Sequence, residues 1–283
     1  MNDYSFIRLK PTMLEAIDTR TVSIANIGYS DQVQLSPNEK YTQITNTTLG
    51  IAFDGNYAVY VCDCSGFILN DITSFVQISE FTDNKGTQQI AFTLDNIGFD
   101  YYKKQVLLKF VHTVSDYVWF SNLITITDYD LEKTTRFEYR DYSEFNGIAY
   151  NIANVYQSIR LNCEFIGNDS ESKKSEYTSI DGIKVSSRLI ETEFEKYLFP
   201  KIDNFTYRRL NKLLSHPVIY VNDYRVTDKQ TIKASQHKGM TNIFEIDFNL
   251  AINYKEKLSD ILNNSLIQKD FDAQDFDNSD FLT

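Results

Sequence analysis

From Tyr41 to Tyr142 one pattern recurs: a short run rich in Val, Ile, Thr, Phe and Tyr, then a break of turn-forming residues. The runs are YTQITNT, YAVYVCDC, FVQISEF, QQIAFTLD, QVLLKFVHTV, YVWFSNLITIT and TTRFEYRDY, and the breaks include DGN, SG, TDNKG and SD. β-Branched and aromatic side chains fit a pleated, half-buried surface, while Gly, Asn and Asp adopt the conformations that reverse a chain. The spacing predicts a β-sandwich over residues 41–146. Composition agrees, because 20 Phe and 19 Tyr stand beside only 4 Pro and 10 Gly. Alternation within YAVYVCDC places Ala58, Tyr60, Cys62 and Cys64 on one face and Val59, Val61 and Asp63 on the other. Both thiols therefore share a side of the sheet.

In strand number and spacing this stretch resembles immunoglobulin-like and fibronectin type III modules. It departs from antibody domains in that Trp119 falls in a late strand, YVWF, with no cysteine pair around it. Trp119 is expected to be a core aromatic. Residues 1–40 mix the short apolar runs FIRL and VSIANI with Pro11, Pro37 and polar turns. They read as an N-terminal arm or edge segment.

A second pattern begins after the polar SEFNG. IAYNIANVYQSIRLNCEFI is expected as a long strand, GNDSESKKSEYT as a solvated hairpin tip, and DGIKVSSRLIETEFEKYLF as the antiparallel return. A helix is predicted near 205–216, capped by Asp203 or Asn204, with Tyr207, Leu210, Leu213 and Leu214 on one stripe and Pro217 as its stop. Arg208, Arg209 and Lys212 fall off that stripe and read as a solvated or ion-paired face. PVIYVNDYRVTD and NIFEIDFNLAINY follow as strands, the latter with Phe244, Ile246 and Phe248 on one face. Residues 147–258 thus form a β-rich α+β domain. The fold expected for the whole is mainly β, an immunoglobulin-like sandwich and then an α+β domain, with an extended segment at each end.

Catalytic signatures do not emerge. GxSxG, a Gly-rich phosphate loop, HExxH and GxGxxG are all missing from the sequence. His112, His216 and His237 are scattered, and each reads as a structural or surface side chain. Cys62, Cys64 and Cys163 are odd in number and lack CxxC spacing, which points to reduced thiols rather than a disulfide framework or a zinc site. Carboxylates are abundant enough to leave a glycosidase-type pair open, without a motif to locate one. Asp275, Asp277 and Ser279 imitate the start of a calcium loop but lack its central glycine and distal glutamate. No catalytic residue, metal or cofactor is therefore expected.

A formal charge of -11 argues against nucleic acid as a direct partner, because affinity for phosphates rests on clustered Lys and Arg. The start, MNDYSFIRLKPTM, lacks signal-peptide anatomy, and no run has the length of a membrane span. Synthesis and assembly are expected in the cytoplasm, so the Asn-x-Ser/Thr matches at Asn46, Asn168, Asn204 and Asn263 read as unglycosylated.

Residues 259–283 read as an acidic tail. Phe271, Phe276 and Phe281 recur every five residues, each directly behind Asp270, Asp275 or Asp280, with no Lys or Arg after Lys269. Ordering such a peptide costs about 1 to 2 kcal/mol per residue. Three rings entering a partner's grooves contribute about 1.5 to 3 kcal/mol each. A five-residue period matches neither a helix face nor strand alternation, so separate pockets along an extended path are expected. These six residues are the candidate subunit interface, with the aspartates meeting Lys or Arg on the partner.

The order of parts resembles the virion tail and collar proteins of tailed bacteriophages, crAss-like phages and their relatives in particular. The features that carry this are the arm, a β module closing with YVWFSNLITIT and TTRFEYRDY, and a β-rich domain containing LNKLLSHPVIYVNDYRVTDK. The resemblance implies a structural role in a ring or baseplate between portal and tail. It further implies location in the virion, other virion proteins as partners and a homo-oligomeric ring. The alternative is a carbohydrate- or receptor-binding sandwich, motivated by the β module and the abundant Tyr.

Overall fold

The computed structural model describes residues 10–13, 33–37, 39–46, 56–80, 87–94, 101–114, 117–127, 133–142, 144–145, 148–149, 156–229, 232–236 and 243–267. The protein is mainly β. Its first strands are β1 (Lys10–Met13), β2 (Val33–Leu35), β3 (Tyr41–Asn46), β4 (Tyr57–Cys62), β5 (Ile68–Asp71), β6 (Val76–Glu80) and β7 (Thr87–Phe92). There follow β8 (Gln105–His112), β9 (Tyr117–Phe120), β10 (Ile124–Ile126), β11 (Thr135–Arg140), β12 (Glu144–Phe145), β13 (Ile148–Ala149) and β14 (Gln157–Leu161). The last part holds β15 (Glu164–Thr178), β16 (Lys184–Asp203), helix α1 (Asn204–Ser215), β17 (Val218–Val221), β18 (Tyr224–Lys229), β19 (Lys233–Gln236), β20 (Ile243–Lys257) and helix α2 (Leu258–Ile267).

One strand path runs β1-β9-β8-β10-β2-β14-β11-β17-β18-β20-β16-β15, with β4 and β5 attached at β8 and β19 at β20. Strands β3, β7 and β6 form a separate sheet, and β12 pairs with β13. Among the described residues the pairing is antiparallel except where β10 meets β2. Alternation sorts β4 as the sequence predicts. Val59 and Val61 enter the main core with Phe110 and Trp119, while Cys62, Tyr60 and Cys64 pack on the other side against Leu107, Val118 and Phe120.

Helix α1 also follows its sequence signals. Asp203 accepts the Thr206 amide at 2.7 Å, and Leu210, Leu213 and Leu214 are buried. His216, the residue before Pro217, is extended, as the steric demand of proline requires.

The structure differs from the sequence reading in several places. Strand β2, inside the stretch read as an arm, lies between β10 and β14, with Gln34 opposite both Thr125 and Arg160. Strand β11 pairs with β14 on one side and with β17 on the other. Strands of three or four residues show too little alternation to reveal themselves. YVWFSNLITIT is two strands along one edge of β8: Phe120 faces Lys109 and Ile124 faces Val106, so Ser121, Asn122 and Leu123 bulge against two residues. GFILND supplies β5, between two longer runs.

IAYNIANVYQSIRLNCEFI is likewise divided among β13, β14 and the start of β15. GNDSESKKSEYT is no tip; it belongs to β15, and the chain reverses instead at Ser179–Ile183, where Gly182 takes φ +78°. Polarity imitated a loop here because both faces of this strand meet solvent. PVIYVNDYRVTD is a hairpin, β17 and β18, turning at Asn222 (φ 48°) and Asp223 (φ 78°). Two successive left-handed residues match the twist of the flanking strands, and Asn and Asp tolerate that region. Helix α2 occupies the beginning of the stretch read as the tail.

Candidate functional site

Strands β15 and β16 pair from Glu164 opposite Leu198 to Thr178 opposite Lys184. Strand β20 supports β16 only from Asp203 to Glu195, where Leu250 is the last partner. Beyond that point Ser170–Thr178 and Lys184–Glu193 form a two-stranded ribbon, roughly 30 Å long at about 3.3 Å per residue. Its root is fixed by Phe194, 2% exposed, and by the Asn249 amide, which donates to Asp169 Oδ2 at 3.2 Å. Every residue of β15 from Asn168 outward is exposed, including Tyr177, and Ile180 and Ile183 lie bare at the tip. The β15–β16 register shifts twice, at the root between Phe165 and Gly167, where Gly167 takes φ +142°, and within the ribbon between Ser175 and Glu176.

A two-stranded hairpin with no buried face is marginal in water. Strand β15 is also the end of the main strand path, so its outer edge presents backbone donors and acceptors for another strand. Lys173 and Lys174 on that edge discourage indiscriminate pairing while leaving an acidic partner welcome. The ribbon is thus suited to gripping another chain.

Beside Arg160 of β14 lies an open cleft of about 400 Å³, lined also by Glu39, Thr134, Arg136, Glu138, Asn222 and Asp223. Strand β14 is buried along its whole length, and Arg160 within it is 4% exposed. A guanidinium so placed requires anionic and carbonyl acceptors. Arg160 Nε donates to Glu39 Oε2 at 2.9 Å, its Nη2 meets Glu39 Oε1, and its Nη1 donates to Thr134 Oγ1 at 3.1 Å. Arg136 reaches Glu39 at 3.4 Å and Glu138 at 2.8 Å, donates to the Lys40 carbonyl at 3.0 Å, and lies over the Tyr41 ring. Tyr41 donates its hydroxyl to Glu39.

Burial works to raise the Glu39 carboxyl, but Arg160, Arg136 and Tyr41 outweigh it and hold the group below the ordinary glutamate range. Glu138 goes the other way: burial dominates, Arg136 compensates only in part, and its carboxyl is raised. Two carboxylates with divergent proton affinity can serve acid–base chemistry. Here, however, both are bound to guanidinium groups, so the cleft acts first as a clamp joining the segment before β3 to β11 and β14. The sequence signal for it was the alternation Arg136, Glu138, Arg140 opposite Phe137 and Tyr139, a charged face on a strand inside a sheet.

The six candidate interface residues, Asp270, Phe271, Asp275, Phe276, Asp280 and Phe281, lie outside the described residues, as does His237. His112 is buried in β8 opposite Tyr57. His216 is buried at the end of α1, its Nδ1 at 2.8 Å from the Lys212 carbonyl and its ring edge-on to Tyr139. Burial lowers its proton affinity. Cys62 and Cys163 are buried; burial pushes the Cys62 thiol up to about 11 and the Cys163 thiol well above its usual range. Neither forms a nucleophilic thiolate near neutral pH. Among the described residues no three His, Cys, Asp or Glu side chains gather to hold a metal ion, and no helix is long and apolar enough to cross a membrane.

No protein-family model matches the chain, and no curated protein matches it.

Proposed function

We propose that this chain is a non-enzymatic structural component of a bacteriophage virion, part of a tail, collar or baseplate ring, assembled in the host cytoplasm through contacts between subunits. The observation that carries the contact role is the β15–β16 ribbon, which no third strand joins among the described residues and whose strand β15 is exposed on both faces from Asn168 outward. The virion setting rests on the resemblance of module order to tail and collar proteins. Within this reading residues 41–146 serve as the immunoglobulin-like module, and other virion proteins and further copies of the chain are the partners. Phe271, Phe276 and Phe281 insert into grooves of a neighbour, with Asp270, Asp275 and Asp280 setting register.

The test is a chain ending at Ile267, produced alone and during particle assembly. The isolated protein should keep its circular dichroism and unfolding midpoint, while particles fail to complete. Normal particles containing the shortened chain would remove the assembly role of residues 268–283. Saturable binding of a glycan by the lone monomer would favour the carbohydrate-binding reading instead.

A further inference from the structure

We infer that the outer edge of the β15–β16 ribbon receives the acidic C-terminal segment, residues 270–283, of a second copy of this chain. The inference rests on the assembly role proposed above and names the surface that performs it. Between Lys173 and Arg188 the chain carries Lys173, Lys174, Lys184 and Arg188 against Glu176 and Asp181, a net of +2. The whole chain carries -11, so everything outside this stretch carries -13. Residues 270–283 hold five Asp and no Lys or Arg. With Glu171, Glu191 and Glu193 included, Ser170–Glu193 as a whole carries -1, so it is the distal part of the ribbon, 173–188, that is basic relative to the rest of the chain and offers the C-terminal segment its chemical complement.

The present partners of the two edge lysines are weak competitors. Lys174 meets Glu176 at 3.0 Å and Lys173 meets Glu171 at 4.0 Å, all on exposed side chains of the same strand. Exposed pairs of this kind exchange readily. Tyr177, Ile180 and Ile183 add apolar surface beside them, suited to Phe271, Phe276 and Phe281. Reach is sufficient: fourteen extended residues span up to about 46 Å, against roughly 30 Å of ribbon edge.

Topology favours a second copy over the chain's own end. Past Leu250, β20 leaves β16 and continues along β18, with Asn253 opposite Arg225 and Lys257 opposite Tyr224. The Asp223 carboxylate, in the β17–β18 turn, then accepts the Ser259 amide at 2.8 Å at the start of α2. Helix α2 thus starts on the β18 side, and β20, β16 and β15 stand between β18 and the outer edge in the strand path. A neighbour's segment faces no such detour.

The test uses full-length chains in sedimentation velocity and native mass spectrometry. Wild type should self-associate. Lys173→Glu with Lys174→Glu should weaken association about tenfold or more, as should Asp275→Lys with Asp277→Lys. Mixing the two variants should restore association, because one supplies an intact ribbon and the other an intact tail; combining all four substitutions in one chain should restore it as well. A mixture that stays dissociated, or a wild-type chain that is monomeric at tens of micromolar, overturns the inference. Association that survives the lysine reversals but is lost on ending the chain at Ile267 also overturns it, while leaving the proposed function intact with the tail's receptor elsewhere.

Discussion

Glu39 and Arg160, 121 positions apart in sequence, form a two-point ion pair in which Nε donates to Oε2 at 2.9 Å and Nη2 meets Oε1. The pair ties the segment before β3 to the interior strand β14. Its geometry explains how a stretch resembling an arm comes to be part of the sheet: the carboxylate that anchors it is answered by a cation otherwise stranded in a buried strand.

Removing one partner should be costly. Arg160→Met leaves Glu39 with Arg136 as its one cation beside the Tyr41 hydroxyl, whereas Glu39→Leu leaves a buried guanidinium without its main counter-charge. Breaking a buried pair costs about 3 to 5 kcal/mol, while replacing both members by apolar residues of similar size is far milder. Urea midpoints for the two single variants and for the double variant Glu39→Leu, Arg160→Met test this. The expected result is two strongly destabilised singles and a double closer to wild type than either.

Opposite pH responses should follow at Glu39 and Glu138. A carboxyl held lower in the folded chain adds stability above its unfolded value near 4.5, and the contribution disappears as pH falls through the folded value. Glu138, raised by burial, contributes in the reverse sense: its share is complete below the unfolded value and is lost as pH rises through the folded one. Between pH 7 and pH 3, Glu39→Gln should therefore lose less stability than wild type and Glu138→Gln should lose more. Unfolding midpoints across that range decide the signs.

Asp223 has two duties that substitution can separate. Its φ of 78° completes the β17–β18 turn, and its carboxylate accepts the Ser259 amide at 2.8 Å and hydroxyl at 2.6 Å at the start of α2. Asp223→Gly keeps the turn and loses the cap, for a cost of about 1 kcal/mol. Asp223→Val adds strain at a left-handed position and should cost at least about 1 kcal/mol more. Hydrogen exchange should show 258–267 loosened in both variants, and Tyr224–Val226 loosened only in the valine variant.

Elements with a strong local signature were legible in the sequence: the two faces of β4, the burial of Trp119, and α1 with its Asp203 cap. Each is dictated by neighbours a few residues away. What escaped was set by distance or by context. Strand β2 gives three residues to alternation and gains its place from β10 and β14. The Glu39–Arg160 clamp joins segments that no local pattern connects. GNDSESKKSEYT looked like a loop because polarity on both faces is the signature of a loop and equally of a strand that no layer covers.

That ribbon yields the last prediction. Because β15 beyond Asn168 is exposed, the ribbon should contribute little to the stability of the body. Replacing Glu171–Thr192 by Asn-Gly joins Ser170 to Glu193, which already face each other, through a two-residue turn of the favoured type. Shortening the closed segment about tenfold recovers about 2 kcal/mol of chain entropy, which roughly offsets the cross-strand pairing that the deleted residues supply. The unfolding free energy should stay within about 1 kcal/mol of wild type, in keeping with surface changes away from the core. Self-association should vanish together with the ribbon. A variant that unfolds far more easily would mean that the ribbon is part of the folded body rather than a free arm, and its role as a handle for other chains would have to be abandoned.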